Sequence, residues 1–303
     1  MSDNIQNSKD DLVTPFHLEG QPVRGRIVRL GSVLDDLLSP HDLPETVAVL
    51  LGEAVITAIA AGSSLKFDGR VIVQASGSGP VSFLVSDFTT DGGVRGYIRV
   101  DEQKLPDMTQ PDLQALMGDG QFALTIDPGK AENRYQGIAS LEPESFAKTA
   151  ETYFKQSEQL PSKLIIAIAR HTNEDGITKW RGGGLFMQRI AGGNDDDNYG
   201  DDDEQDAWVT ALALVKTITA DELTDPMLDT ETLLLRLFHE QGVRAFEPLK
   251  IYKRCTCTKD RLQEILSNFT RGERKEMVTE TGNVEMTCEY CAKTFSFAAT
   301  DLE

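Results

Sequence analysis

All four cysteines of this 303-residue chain lie in its last 49 residues, as two closely spaced pairs. Cys255 and Cys257 form a C-x-C pair, and Cys288 and Cys291 form a C-x-x-C pair after thirty intervening residues. Two converging thiolate pairs are typical of a tetrahedral four-sulfur zinc site, with Zn–S distances of about 2.3 Å. No histidine lies in this tail. We therefore predict that Cys255, Cys257, Cys288 and Cys291 bind one Zn²⁺ ion.

The thirty-residue gap also bears on redox chemistry. A four-thiolate zinc ion would join two distant segments, whereas disulfides within each pair would join only near neighbours. Oxidation of that kind would expel the metal and remove the long-range cross-link. Zinc binding contributes on the order of 10–16 kcal/mol of folding free energy in such peptides. A domain of about fifty residues has too small an apolar core to replace that contribution. The spacing permits a redox switch without establishing one.

Charge and hydropathy exclude several classes of protein. The 30 basic and 49 acidic residues give a net charge of −19, which disfavours nucleic acid as a main ligand. No segment has the roughly 18 uncharged apolar residues of a spanning helix, since Glu53 interrupts Val47–Gly62. The N-terminus lacks the pattern of a signal peptide. We therefore expect a cytoplasmic protein that does not bind a membrane.

Hydrophobic periodicity predicts an α+β protein with an N-terminal antiparallel-sheet core, covering helices, a helical linker and a small C-terminal four-cysteine zinc domain. The first eleven residues are polar and are predicted to fray. Apolar helical patterns are found at Val33–Leu38, Val47–Ala61, Phe146–Gln159, Trp208–Ile218 and Thr230–Glu240. Strands are predicted at Gly25–Leu30, Leu65–Ala75, Val81–Val85, Val94–Val100, Phe122–Ile126, Tyr135–Ala139, Lys163–Ala169 and Gly184–Ile190.

Composition divides the chain into four predicted segments. Residues 1–192 form the α+β core, 193–207 an acidic solvated loop, 208–250 a helical linker and 251–303 the zinc-binding domain. The stretch Asn194–Asp206 contains eight carboxylates and no base, and a solvated loop is favoured there over a calcium loop. The glycine runs Gly77–Gly79 and Gly182–Gly184 lack the lysine of a phosphate loop and are interpreted as turns. The sequence predicts no catalytic residues.

Four separated motifs resemble the bacterial thirty-three-kilodalton redox-regulated heat-shock chaperone (holdase) family along nearly the whole chain. The first is the C-x-C…C-x-x-C pattern with its thirty-residue gap. The second is Tyr153–Pro161, which resembles the family's Y-F-x-x-S-E-Q-L-P segment. The others are a strand and turn near the start of the sheet, and a linker-to-zinc junction; these are Leu65–Gly69 with Gly77–Pro80, and Leu235–Glu240 leading into Lys253–Cys257.

The resemblance implies an ATP-independent chaperone that prevents aggregation of unfolding proteins under oxidative and heat stress. In the reduced, inactive monomer the four cysteines would bind zinc as thiolates. Oxidation would form the disulfides Cys255–Cys257 and Cys288–Cys291, release the metal and destabilise the linker helices. The protein would then dimerise and bind clients. On this interpretation, Leu233, Leu234, Leu237 and Phe238 form an apolar stripe that is uncovered on activation, although a constant core position is equally compatible with the periodicity.

Two other functions remain open at this stage. One is a thiol–disulfide oxidoreductase that uses Cys288 and Cys291. Such motifs usually begin a helix, whereas strand-like residues flank this pair on both sides. The other is a static zinc module for docking a protein or nucleic acid, and the acidic body of the chain weighs against nucleic acid.

Overall fold

A computed structural model describes residues 9–107, 111–129, 133–190 and 201–298, without the side chains of residues 201–204. The chain divides into two compact units, Met1–Lys253 and Arg254–Glu303. Sheets and covering helices form the first unit, and the four cysteines lie in the second. The predicted α+β class is therefore confirmed.

The first unit begins with two strands and the two helices that follow them, and a three-stranded meander and a hairpin come next. Two long strands and three helices complete it, followed by three short strands. In chain order these are β1 (Leu12–Leu18), β2 (Val23–Leu30), α1 (Ser32–Leu38), α2 (Glu45–Ser64), β3 (Arg70–Gly77), β4 (Val81–Thr89), β5 (Gly93–Val100), α3 (Leu113–Met117), β6 (Gly120–Asp127), β7 (Tyr135–Ser140), α4 (Phe146–Ser157), β8 (Ser162–Thr172), β9 (Thr178–Arg189), α5 (Asp201–Val215), α6 (Ala220–Thr224), α7 (Thr230–Phe238), β10 (Val243–Ala245), β11 (Leu249–Lys250) and β12 (Tyr252–Lys253).

These strands form two sheets. The first sheet has the order β10-β1-β2-β9-β8, with β11 also paired to β1, and all its pairs are antiparallel. The second sheet has the order β12-β5-β4-β3-β6-β7, and only its β12–β5 pair is parallel. Strand β1 and the three short strands β10–β12 were not predicted, because they are brief or lie beside a polar terminus.

Helix α2 is the central core helix and packs against strands of both sheets. Its length and apolarity would suffice to cross a membrane, but 78% of its most apolar window is buried inside the protein. Such burial is expected of the core helix of a folded domain. After Glu45, the first residue of α2, Glu53 is the only charged residue in the helix.

The opposite face of the first sheet is covered by α5, α6 and α7, which we call the linker helices. Alternation along β2 explains how one sheet serves two cores: Val28 and Leu30 belong to the cluster around α2, whereas Val23 and Ile27 belong to the cluster under the linker helices. The linker helices contribute their apolar side chains to this second cluster: Trp208, Ala211, Val215, Leu223, Leu233, Leu234, Leu237 and Phe238.

The glycines at 182–184 are not a turn, so that prediction is wrong: they lie within β9. A Cβ at Gly183 would lie 2.1 Å from the carbonyl oxygen of Leu223 in α6, and one at Gly184 would lie 2.4 Å from the Cγ2 of Ile56 in α2. The absence of side chains thus allows helices to approach this strand from both faces.

The acidic loop predicted at 193–207 is also corrected in part. Helix α5 begins at Asp201, seven residues before the predicted helical pattern. Carboxylates in a first turn are stabilised by the helix dipole, which explains why acidic residues begin a helix here. Residues 193–200 lie outside the described part of the chain. The segments predicted as core and linker belong to one compact unit.

Candidate metal centre and the covered apolar face

The second unit brings the two cysteine pairs together from a loop and a hairpin turn. Cys255 and Cys257 precede α8 (Lys259–Ser267), whose N-terminus is capped by Thr258. Helix α9 (Arg271–Glu276) follows, and then the hairpin of β13 (Asn283–Thr287) and β14 (Thr294–Ala298). Cys288 and Cys291 lie in the turn of this hairpin.

Backbone hydrogen bonds fix the hairpin turn. The N–H of Cys288 donates to the carbonyl of Lys293 at 3.0 Å, and the N–H of Ala292 donates to the carbonyl of Cys288 at 2.8 Å. Ala292 has a φ of 57°, a left-handed conformation that non-glycine residues adopt at tight turns. The two thiols of the C-x-x-C pair are thereby held on one turn.

The four Sγ atoms all lie within 4.8 Å of one another. The Sγ atoms of Cys255 and Cys288 are 3.7 Å apart, and those of Cys257 and Cys291 are 3.5 Å apart. A tetrahedron with Zn–S distances of about 2.3 Å has edges of about 3.8 Å. Both distances far exceed an S–S bond of about 2.05 Å, and all four cysteines are free thiols. The donor set therefore fits a tetrahedrally coordinated metal ion.

Little apolar packing supports this unit. Its core contains Leu262 and Leu266 from α8, Val284 from β13 and Phe297 from β14. Helix α9 buries none of its residues. Val278, Met286 and Phe295 pack against these four side chains. Among the described residues this is a small core for a unit of about fifty residues, so the cross-link between the cysteine pairs is an important support.

Ionisation within the cysteine cluster is uneven without a cation. Burial raises the pKa of Cys255, and burial together with the neighbouring thiols raises the pKa of Cys257 well above its ordinary value. Burial opposes ionisation of Cys291 as well, but the N–H of Lys293 and hydrogen bonds from the other thiols lower its pKa. A metal ion supplies the positive charge that four thiolates at this separation require.

Helix α6 is fixed to the first sheet by two arginines, which sequence reasoning missed. Arg29 of β2 donates to the carbonyls of Glu222, at 3.3 Å, and Asp225. Arg181 of β9 donates to the carbonyl of Thr224 at 2.8 Å. Both arginines therefore bind the C-terminal carbonyls of α6, where positive charge is favoured.

The carboxylate of Asp10 contacts both arginines. Asp10 accepts two hydrogen bonds from Arg181, at 2.7 and 2.8 Å, and lies 4.0 Å from Arg29. Arg29 is only 1% exposed. Asp10 lies in the segment that was predicted to fray. The available signal was Arg29 itself, because an arginine occupies a position in β2 where the alternation calls for an apolar side chain.

The segment Tyr153–Pro161, one of the motifs behind the resemblance, ends helix α4. Tyr153 is fully buried and its hydroxyl donates to Glu158 at 3.0 Å. Gln159 has a φ of 56°, which lets the N–H of Leu160 donate to the carbonyl of Phe154 at 3.1 Å. This motif therefore determines packing and chain direction.

Comparisons with known proteins agree with this arrangement. The family model described as Hsp33 protein matches residues 11–298. A 33 kDa chaperonin of Caulobacter vibrioides is 45% identical, covering 94% of each chain. One from Shewanella loihica is 34% identical, covering 97% of this chain and 94% of its own. The crystal structure of a 33 kDa chaperonin from Thermotoga maritima has the same fold, with a TM-score of 0.76, 23% identity and 96% coverage of both chains. The chain therefore belongs to the Hsp33 family of chaperones.

Proposed function

We propose that this protein is a redox-regulated, ATP-independent holdase that binds unfolding proteins in the cytoplasm and prevents their aggregation under oxidative and heat stress. The observation that carries the proposal is the cluster of four thiols in a unit whose described residues form only a small apolar core. Loss of the cross-link through these thiols would remove the main stabiliser of that unit. Such a site suits a sensor whose folded state depends on its oxidation state.

In the reduced, inactive form, Cys255, Cys257, Cys288 and Cys291 bind the metal as thiolates. When bound, Zn²⁺ would supply the charge that keeps all four sulfurs ionised and would join the loop before α8 to the β13–β14 hairpin. Zinc is the metal we favour because an all-sulfur tetrahedral donor set with no redox requirement selects it.

Oxidation by peroxide then converts the four thiolates to two disulfides. In each pair one sulfur attacks a peroxide oxygen, becomes a sulfenic acid and releases water after protonation. The second thiolate attacks that sulfur, the S–S bond forms, and a second water leaves. Two peroxide molecules and four protons yield two disulfides, one free Zn²⁺ ion and four waters.

We infer the pairing Cys255–Cys257 and Cys288–Cys291 from the family resemblance. Two close thiol contacts run between the pairs, from Cys255 to Cys288 and from Cys257 to Cys291. Cross-paired disulfides would preserve the link between loop and hairpin, whereas disulfides within each pair would remove it. The pairing therefore decides whether oxidation unfolds the unit. Proteolysis followed by mass spectrometry distinguishes the two outcomes.

Chain continuity transmits the change to the first unit. Only one residue separates Cys255 from β12, which pairs with β5 at the edge of the second sheet. Strands β10 and β11 pair with β1 just before it and directly follow the linker helices. Unfolding of the second unit removes its constraint on this segment and, through it, on α7.

Release of the linker helices would uncover the apolar face of the first sheet. Phe16, Leu18 and Ile27 lie under them, together with Leu185 and Met187. A continuous patch of this kind binds exposed apolar segments of unfolding proteins and favours dimerisation of the activated chaperone. The high negative charge opposes association of client-laden complexes.

The Cys288–Cys291 pair is less suited to oxidoreductase chemistry. It lies in a hairpin turn, whereas reactive C-x-x-C pairs usually begin a helix. The principal competing function is a static zinc module, which would keep its metal through oxidation.

Light scattering of an unfolding client tests the proposal. Zinc-loaded reduced protein is compared with peroxide-treated protein, while a chromogenic chelator measures metal release in the same samples. We expect suppression of aggregation by the oxidised form alone, with loss of one zinc per chain. Retention of zinc through oxidation would establish the static module, and equal suppression by both forms would refute the switch.

A further inference from the structure

The first unit contains a cleft that the proposed switch does not use. Its volume is about 530 Å³, and it is bounded by α2, α3, α4 and β8. This size is within the range of small-ligand and peptide sites. Apolar side chains form most of its wall: Val49, Leu50, Pro111, Leu113, Leu116, Phe146 and Ile168.

Three carboxylates accompany these apolar walls. Glu45 and Glu144 are exposed, whereas Glu53 is partly buried on the core helix. No lysine, arginine or histidine is among the described residues that line the cleft. We call this feature the glutamate cleft.

Glu53 is the unusual member of the set. Surrounding protein atoms desolvate its carboxylate, and this burial raises its pKa to about 7. Among the described residues, no hydrogen bond or ion pair is found for its side chain. A desolvated carboxylate that faces a cleft without a partner favours a ligand that supplies a positive charge.

The spacing along α2 gives the length of this site. Glu45, Val49 and Glu53 are four residues apart and lie on one face of the helix. Eight residues of helix span about 12 Å, which matches about four residues of an extended peptide at about 3.3 Å each. The cleft therefore fits a short extended segment rather than a single metal ion.

We propose that the glutamate cleft binds a basic-apolar segment of an extended client polypeptide, with a lysine or arginine side chain at Glu53 and its apolar neighbours against the walls. This inference deepens the proposed chaperone function by naming a class of client sequence. The cleft is a different surface from the apolar face under the linker helices. It is accessible in the reduced form too, where contact with one short segment is too small to hold an aggregating client.

Fluorescence anisotropy of short labelled peptides tests this site directly on the reduced, zinc-loaded full chain. Three peptides of about eight residues share the same leucines and phenylalanines and carry lysine, glutamine or glutamate at the polar positions. We expect the lysine peptide to bind about tenfold more tightly than the glutamate peptide. Glu53→Gln should abolish most of that preference, whereas Glu174→Gln, at an exposed site in the β8–β9 turn, should leave it intact.

A second variant and a pH series exclude indirect effects. Thr46→Trp fills the cleft and should weaken binding of all three peptides. The other titratable groups that line the cleft are Glu45 and Glu144, which are also carboxylates. Lowering the pH from about 8 to about 6 protonates Glu53 and should reduce the lysine preference in the parent protein but much less in Glu53→Gln.

Several results would overturn the inference. Equal binding of the three peptides, no binding, or an unchanged lysine preference in Glu53→Gln would each do so. Saturable Mg²⁺ or Ca²⁺ binding lost in Glu53→Gln, with no peptide binding, would identify a simple cation site instead. Because the assay uses reduced protein and no aggregating client, its outcome is independent of the oxidation-dependent light-scattering result.

Discussion

Substitution of Gly183 by alanine is expected to separate linker docking from metal binding. The added Cβ would lie 2.1 Å from the carbonyl oxygen of Leu223, whereas ordinary contact begins at 3.4 Å. Because the clash is with backbone, α6 must move away from β9 by more than 1 Å. The reduced protein should then show chaperone activity without oxidation.

The size of the effect follows from the contacts that α6 would lose. The hydrogen bond from Arg181 to Thr224 is 2.8 Å long and that from Arg29 to Glu222 is 3.3 Å, so a shift of this size breaks both. Hydrogen bonds to a charged group contribute about 1.5–3 kcal/mol each. With partial relaxation, a loss of about 3 kcal/mol raises the population of undocked linker about a hundredfold.

The neighbouring glycine provides a matched control. A Cβ at Gly184 would clash with the side chain of Ile56 on the other face of the strand. Gly184→Ala should therefore destabilise the core around α2 without releasing α6. The two variants are compared by client aggregation, by zinc content and by the rate of tryptic cleavage after Arg236 in α7.

Three results should occur together in reduced Gly183→Ala: suppressed aggregation, one zinc per chain and faster cleavage in α7. Activity equal to that of the reduced parent, despite faster cleavage, would refute the idea that the linker helices cover a client-binding face. Equal activation by Gly184→Ala would show that general destabilisation is responsible.

Further predictions concern metal, charge and stability. Cys288→Ser leaves three thiols, so zinc should bind much more weakly, and competition with a chelator should show it; unchanged affinity would contradict the four-sulfur site. Arg181→Met leaves Asp10 without its bidentate partner and should lower the peroxide dose that activates the protein, measured by light scattering. Burial raises the pKa of Glu53 from 4.5 to about 7, so the folded state binds this proton more tightly and loses stability as pH rises across that window. In urea unfolding, Glu53→Gln should therefore have a higher free energy of unfolding than the parent. The difference should grow between pH 4.5 and about 7 to about 2–3 kcal/mol and then level off; a difference independent of pH would contradict the assignment.

The metal site was predictable because residue type and spacing alone indicate a four-sulfur ligand set. All four cysteines stand as two close pairs in the last 49 residues, and this tail contains no histidine that could replace one of them as a ligand. The hairpin that carries Cys288 and Cys291 was also accessible, since strand-like residues flank the pair on both sides. Helix α2 was recognised from its apolar run, although it extends beyond the predicted Val47–Ala61 at both ends.

Features that depend on distant packing were not predictable from local pattern. Gly182–Gly184 resembles a turn in isolation, and only the approach of α2 and α6 to β9 explains why a strand carries three glycines. The role of Arg29 and Asp10 depends on the position of α6, almost 200 residues later in the chain. Glu53 was noted only as an interruption of an apolar segment, because the cleft beside it arises from four separate elements.

The short strands β10, β11 and β12 protect the backbone edges of both sheets. β10 and β11 pair with the outer side of β1, and β12 pairs with the outer side of β5. A single segment of eleven residues, Val243–Lys253, thus covers an edge of each sheet. Removal of this segment would leave two rows of N–H and C=O groups without partners, and any extended chain can pair with such an edge regardless of its side chains. Release of this segment on activation would therefore expose, beside an apolar face, a template for strand addition that is indifferent to client sequence.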